Sequence, residues 1–95
     1  MEVLKVANES LVVLYESENG RIVHTHKVVT FQGAEHPDKA TLEKHALEQL
    51  RLSQPQFTQK PEFLHAAPTS MRADAIYKVD KQKIVLIEVP SSHGA

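Results

Sequence analysis

The stretch Leu11-Val12-Val13-Leu14-Tyr15-Glu16-Ser17-Glu18-Asn19-Gly20-Arg21-Ile22-Val23-His24-Thr25-His26-Lys27-Val28-Val29-Thr30-Phe31 decides the fold. Two runs rich in β-branched residues flank Ser17–Arg21. Asn-Gly between such runs signals a β-hairpin, because both residues tolerate the positive φ of a tight turn. The predicted strands are 11–16 and 21–31. A two-residue Asn-Gly turn sets Tyr15 opposite His24 and Val13 opposite His26. A three-residue loop with a bulge sets Leu14 and Val12 there instead. In either register His24 and His26, two residues apart, share one strand face.

On the N-terminal side, residues 2–7 suit a short strand. Asn8-Glu9-Ser10 reads as a turn or bulge, so a meander is preferred to one long bent strand. On the C-terminal side, Gly33–Pro37 ends the second strand of the hairpin. A helix is predicted over 38–52. Leu42, Ala46 and Leu50 recur every fourth residue, and Leu47 widens that stripe. Glu35 and Asp38 lie where the positive helix end favours acids. Residues 53–71 hold Pro55, Pro61, Pro68 and scattered Phe57, Phe63, Leu64 and Met71. They read as an extended connection pinned by its two Phe residues, with room for a helical turn at 61–64. A second hairpin is expected from 73–79 and 83–89 around Asp80-Lys81-Gln82, and 90–95 reads as a flexible tail.

The order is thus β-β-β-α-loop-β-β. It implies an α+β two-layer sandwich, an antiparallel sheet of hairpins with one main helix packed on one face. Ile84-Val85-Leu86-Ile87 is apolar on both strand faces, which predicts a strand covered on two sides. One helix stripe is too narrow for a five-stranded sheet. Either the 53–71 connection or a second copy of the chain is the expected cover, symmetric dimers being the commonest solution.

Composition sets the bounds. A chain of 95 residues with 41% hydrophobic and 24% charged residues is expected to form one domain, 1–95, with one modest core. There is no cysteine, which removes disulfides, thiolate metal sites and a Cys nucleophile. It also leans toward a reducing compartment. Met1-Glu2-Val3-Leu4-Lys5 lacks signal-peptide features, and no apolar stretch approaches membrane-spanning length. The expected setting is the cytoplasm. A net charge of −1 gives no overall field to draw a polyanion.

Three groups of side chains are candidates for chemistry. His24 and His26, joined by His36, have residue types and spacing suited to a metal site of hydrolytic type. The plainer reading leaves the hairpin imidazoles on a half-exposed strand face and His36 among ordinary capping residues. Arg72, Lys78, Lys81 and Lys83 gather near Tyr77 on the second hairpin, 72–89, as nucleic-acid binding through a phosphate backbone beside a stacking ring would require. Charges on a sheet edge also serve to discourage stray pairing, which is the favoured reading. No nucleophile elbow surrounds Ser10, Thr69 or Ser70, and Gly20, Gly33 and Gly94 stand apart from any phosphate loop. The sequence therefore points to a small self-associating interaction domain rather than an enzyme. No cofactor is expected, and a protein is the expected partner.

Overall fold

The computed structural model describes residues 5–72 and 75–89. The expected tail at 90–95, the start of a first strand at residue 2 and the start of the second hairpin at residue 73 lie outside them. The element order is β1 (Val6–Tyr15), β2 (Ile22–Phe31), α1 (Lys39–Ser53), β3 (Glu62–Ala66), β4 (Ile76–Asp80) and β5 (Val85–Val89). This is an α+β fold of five antiparallel strands and one helix. The strands form a three-stranded sheet ordered β2-β1-β3 and a two-stranded sheet of β4 and β5.

Two expectations about the strands are corrected. Residues 2–7 and 11–16 are not separate strands of a meander: one strand runs from Val6 to Tyr15. Asn8-Glu9-Ser10 stays in the ladder, opposite Thr30, Val29 and Val28, and the irregularity falls between Val6 and Asn8. A bulge absorbs the extra residue without ending the pairing. The connection at 53–71 also contains a strand. Glu62–Ala66 pairs with Tyr15–Leu11, so β1 becomes the middle strand. The Arg51 guanidinium donates to the carbonyls of Phe57 and Gln59, which fixes the chain leading into β3.

Cover follows from this placement. Leu11 to Tyr15 are five consecutive buried residues of β1, between 0% and 6% exposed. Alternation sends them to two cores. Val12 and Leu14 pack with Val23, Leu42, Ala46 and Leu50 beneath the helix, and Phe63 and Phe57 close that side. Leu11, Val13 and Tyr15 pack with Val79 on the opposite side, joined by Leu64, Met71 and Leu86. The helix covers one face of β1 and the second hairpin covers the other. Each fully buried Leu or Val contributes about 1.5–3 kcal/mol of transfer free energy, so this short run anchors the domain.

The doubly covered strand is therefore β1 and not Ile84–Ile87. Ile84 belongs to the β4–β5 turn, with φ at 54°, and it is 48% exposed. Val85 is 44% exposed.

The helix spans Lys39–Ser53, shifted by one residue from the expected 38–52. Asp38 is its N-cap and accepts from the Thr41 N–H at 2.8 Å. Bonds from Thr41, first from its side chain and then its backbone, hold the Asp38 carboxyl below the usual carboxylate range. At the other end the Gln54 N–H closes on Leu50 O, and its side-chain amide donates to Val23 O at 2.8 Å.

The hairpin tip joins the two sheets. Gly20 has φ at 77°, and its carbonyl accepts from the Val79 N–H at 2.9 Å. An added Cβ would lie 2.1 Å from Val79 O. Glycine is required here twice over, for left-handed backbone and for close approach. Arg21 and Lys78 form an isolated bridge beside this contact.

Candidate functional site

Among the described residues, the longest uncovered strand edge is that of β2. Its inner side is laddered to β1, and Leu14 and Val12 lie opposite His24 and His26, the register of the bulged turn. On its outer side, among the described residues, no strand pairs beyond the bridge at Arg21. Gln54 occupies the Val23 carbonyl. The open edge is therefore Thr25–Phe31, with the Phe31 carbonyl taken up at its end by the Ala34 N–H at 3.1 Å. Val29 and Phe31, on the face away from the helix, are 39% and 42% exposed. Val6, opposite Phe31, is 50% exposed and extends this apolar surface across the hairpin.

A cleft of about 320 Å³ lies where β1 and β3 meet the start of the helix. Ser10, His36, Asp38, Lys39 and His65 line it. His36 comes from the β2–α1 connection and is held on both ring nitrogens. Its Nε2 lies 2.7 Å from Ser10 Oγ, and its Nδ1 lies 2.6 Å from Thr30 Oγ1. Thr30 is 6% exposed, the one buried polar residue among those described. His65 Nε2 lies 2.7 Å from the Glu43 carboxylate on the helix. Ser10 and Thr30 reach His36 because both point to the helix side of the extended hairpin. Had the chain turned at 8–10, no such convergence would form.

The sequence-proposed metal ligands divide into a pair and a single residue. The His24 and His26 rings stack, with centroids 6.4 Å apart and planes inclined by 24°. His24 Nε2 is buried without a hydrogen-bond partner. Burial, and then the neighbouring His26, lowers the His24 pKa from its ordinary value. His36 is instead taken up by Ser10 and Thr30. Among the described residues, no three His, Asp or Glu side chains stand together as a metal site.

The basic residues of the second hairpin are spread over several contacts. Arg72 pairs with Glu88 at 2.8 Å, and its N–H donates to the Tyr77 hydroxyl. The Lys81 ammonium donates to the Glu18 carbonyl and so ties the two hairpin tips together. Lys78 and Lys83 are exposed. Sequence reading passed over the Ser10–His36–Thr30 chain and the Glu43–His65 pair as units. Ser10 and Thr30 lie 26 and 6 residues from His36, and no local spacing advertises that contact.

No helix among the described residues is long and apolar enough to cross a membrane. Comparison of the chain with protein-family models, with curated proteins and with solved structures finds no match.

Proposed function

We propose that this chain is a small interaction domain that pairs with a second copy of itself along the open edge of β2. A cytoplasmic setting accords with a cysteine-free chain. One observation carries the reading. Among the described residues, Thr25-His26-Lys27-Val28-Val29-Thr30-Phe31 is a strand edge that no other strand pairs, with a single permanent charge and two exposed apolar side chains. Folded proteins usually block such edges with charge, proline or bulges, because unpaired N–H and C=O groups are a template for another strand. The second hairpin does so, with Lys78, Asp80 and Glu88 on strands of five residues and Lys81 and Lys83 in the turn between them. The open part of β2 has only Lys27.

The edge also matches itself. Antiparallel pairing about a two-fold axis at Val28 uses its full length and sets Lys27 opposite Val29 of the second copy. A two-fold axis at Lys27 would oppose two ammonium groups, which destabilises a sheet pair. In the Val28 register the exposed Val29 and Phe31 of both copies form one apolar strip.

The test is register-specific. Analytical ultracentrifugation at tens of micromolar should show a dimer. Val29→Lys sets Lys against Lys27 and should give a monomer with an intact fold. Val29→Glu sets a carboxylate against Lys27 and should tighten the dimer. A wild-type chain that sediments as a monomer, or a dimer indifferent to both substitutions, overturns the reading.

A further inference from the structure

From the cleft at the helix start, we infer a catalytic site for acyl transfer, with Ser10 as nucleophile, His36 as general base and Thr30 as the residue that positions His36. The geometry satisfies the two contacts that such chemistry requires. A nucleophile and its base must lie within hydrogen-bond reach, and the base must be oriented by a third group. Ser10 Oγ to His36 Nε2 is 2.7 Å, and His36 Nδ1 to Thr30 Oγ1 is 2.6 Å. Ser10 and His36 both line the cleft, whereas Thr30 is buried behind them. Either neutral tautomer satisfies both contacts. The form with Nδ1–H donating to Thr30 Oγ1 leaves Nε2 to accept the Ser10 proton, and it is this form that arms the serine.

The surroundings select the substrate class. Glu9 and Asp38 line the cleft together with Lys39, so carboxylates outnumber ammonium groups there. A phosphoester or other anionic substrate is disfavoured by like charge. About 320 Å³ suits a small acyl group. The expected substrate is a small, uncharged carboxylic ester. Lys39 opens the helix, at the end where the backbone dipoles favour developing negative charge on the carbonyl oxygen.

The steps balance without any further reagent. Ser10 Oγ bonds to the ester carbonyl carbon as its proton passes to His36 Nε2, and the carbonyl π pair moves to oxygen. The tetrahedral species collapses, the carbon–alkoxy bond breaks, and the leaving alcohol takes the proton from His36. Water then attacks acyl-Ser10 and gives a proton to His36. The acyl–Oγ bond breaks, and Ser10 recovers the proton as the carboxylic acid departs. Thr30 is neutral, so it orients the imidazole but lacks the charge with which a carboxylate would stabilise the imidazolium. Turnover should accordingly be slow, with acyl-enzyme accumulating.

The test uses the full chain, p-nitrophenyl acetate and a fluorophosphonate probe. A burst of p-nitrophenolate and a fluorophosphonate adduct mapped to Ser10 are expected. Ser10→Ala should remove both. His36→Gln should slow acylation by about 10²-fold or more, the usual contribution of a general base. Thr30→Val should slow it as well, and Thr30→Ser, which retains the hydroxyl, should restore it; a purely packing role would not separate these two. His45→Gln, at an exposed position of the helix away from the cleft lining, serves as the control and should leave the adduct in place. No adduct on Ser10, or an adduct formed equally well by His36→Gln with unchanged circular dichroism, overturns the inference. The three side chains would then be a latch that ties the helix start to the hairpin. Dimerisation is read separately, by sedimentation, so either result stands without the other.

Discussion

Leu11–Tyr15 and Ile84–Ile87 are both unbroken apolar runs, yet they occupy opposite environments. The first lies between two partner strands and two covering layers, at 0–6% exposure. The second starts in a turn at Ile84 and enters β5, which pairs only with β4 among the described residues. The difference teaches that a doubly apolar run reports capacity for burial, and neighbours decide whether that capacity is used. β1 gains its neighbours from a long local hairpin and from β3. β5 has one short partner, and its turn holds an isoleucine in left-handed backbone.

The largest expected effect tests this contrast directly. Leu14 is fully buried under the helix, so Leu14→Ala should cost about 2–5 kcal/mol. That is a large share of the roughly 5–15 kcal/mol by which domains are stable. Val85→Ala, at a position 44% exposed, should change stability by no more than about 0.5 kcal/mol. Urea titration of both variants checks the pair. Similar losses at the two sites would erase the distinction between the runs.

Next comes the joint between the hairpins. Gly20→Ala forces left-handed backbone on a residue with a Cβ, which alone costs about 1–2 kcal/mol. It also drives that Cβ against Val79 O, 2.1 Å away. The Val79 N–H should lose its bond to Gly20, and the second hairpin should loosen from the face of β1. Amide exchange should therefore quicken in β4 and β5 before it does in α1. Uniform protection across the variant would show that the joint is not what holds the second hairpin.

A smaller effect, of opposite sign, is expected at Ile84. Left-handed φ costs a β-branched residue about 1–2 kcal/mol. Glycine removes that strain and returns about 0.5–1 kcal/mol as lost chain entropy. Ile84→Gly should thus stabilise the fold by up to about 1 kcal/mol, visible as a raised melting temperature. A clear loss of stability would mean that Ile84, although 48% exposed, packs usefully.

What sequence reading recovers and what it misses divide along the same line. The Asn-Gly hairpin and the Leu42–Ala46–Leu50 stripe are local patterns, and both appear with nearly the expected bounds. The α+β class followed from them. β3 is hidden because Phe63-Leu64-His65 is short and set among prolines, and its strand character comes from a distant partner, Val12–Leu14. The cleft is hidden for a related reason. It needs Asn8–Ser10 to continue the ladder, whereas Asn, Glu and Ser in succession suggest a turn. Of the residues named for metal binding, the strand register did bring His24 and His26 side by side. His36 comes from a connection whose path only packing sets.

The smallest expected effect concerns that histidine pair, which stands at the border between the covered and open halves of β2. His24 turns a buried, unpartnered Nε2 toward the helix side, while Thr25 beside it is exposed. Burial first and the His26 ring second hold the His24 pKa below its ordinary value, so folding disfavours the protonated imidazole. In the unfolded chain it titrates at about 6.5. Between the lowered folded value and that ordinary one, the unfolded state binds more protons, so stability rises with pH across the window. The protein should be fully stable with respect to this group above about pH 6.5 and should lose stability as pH falls below it. His24→Gln removes the titrating group and should flatten that part of the profile. His26→Gln keeps His24 but deletes the neighbouring positive charge, so the slope should shrink without vanishing. Urea titrations across the acid range separate the three chains. If His24→Gln has the same acid slope as the wild type, the stability loss arises elsewhere, and the covered half of β2 does not sense protons through this ring.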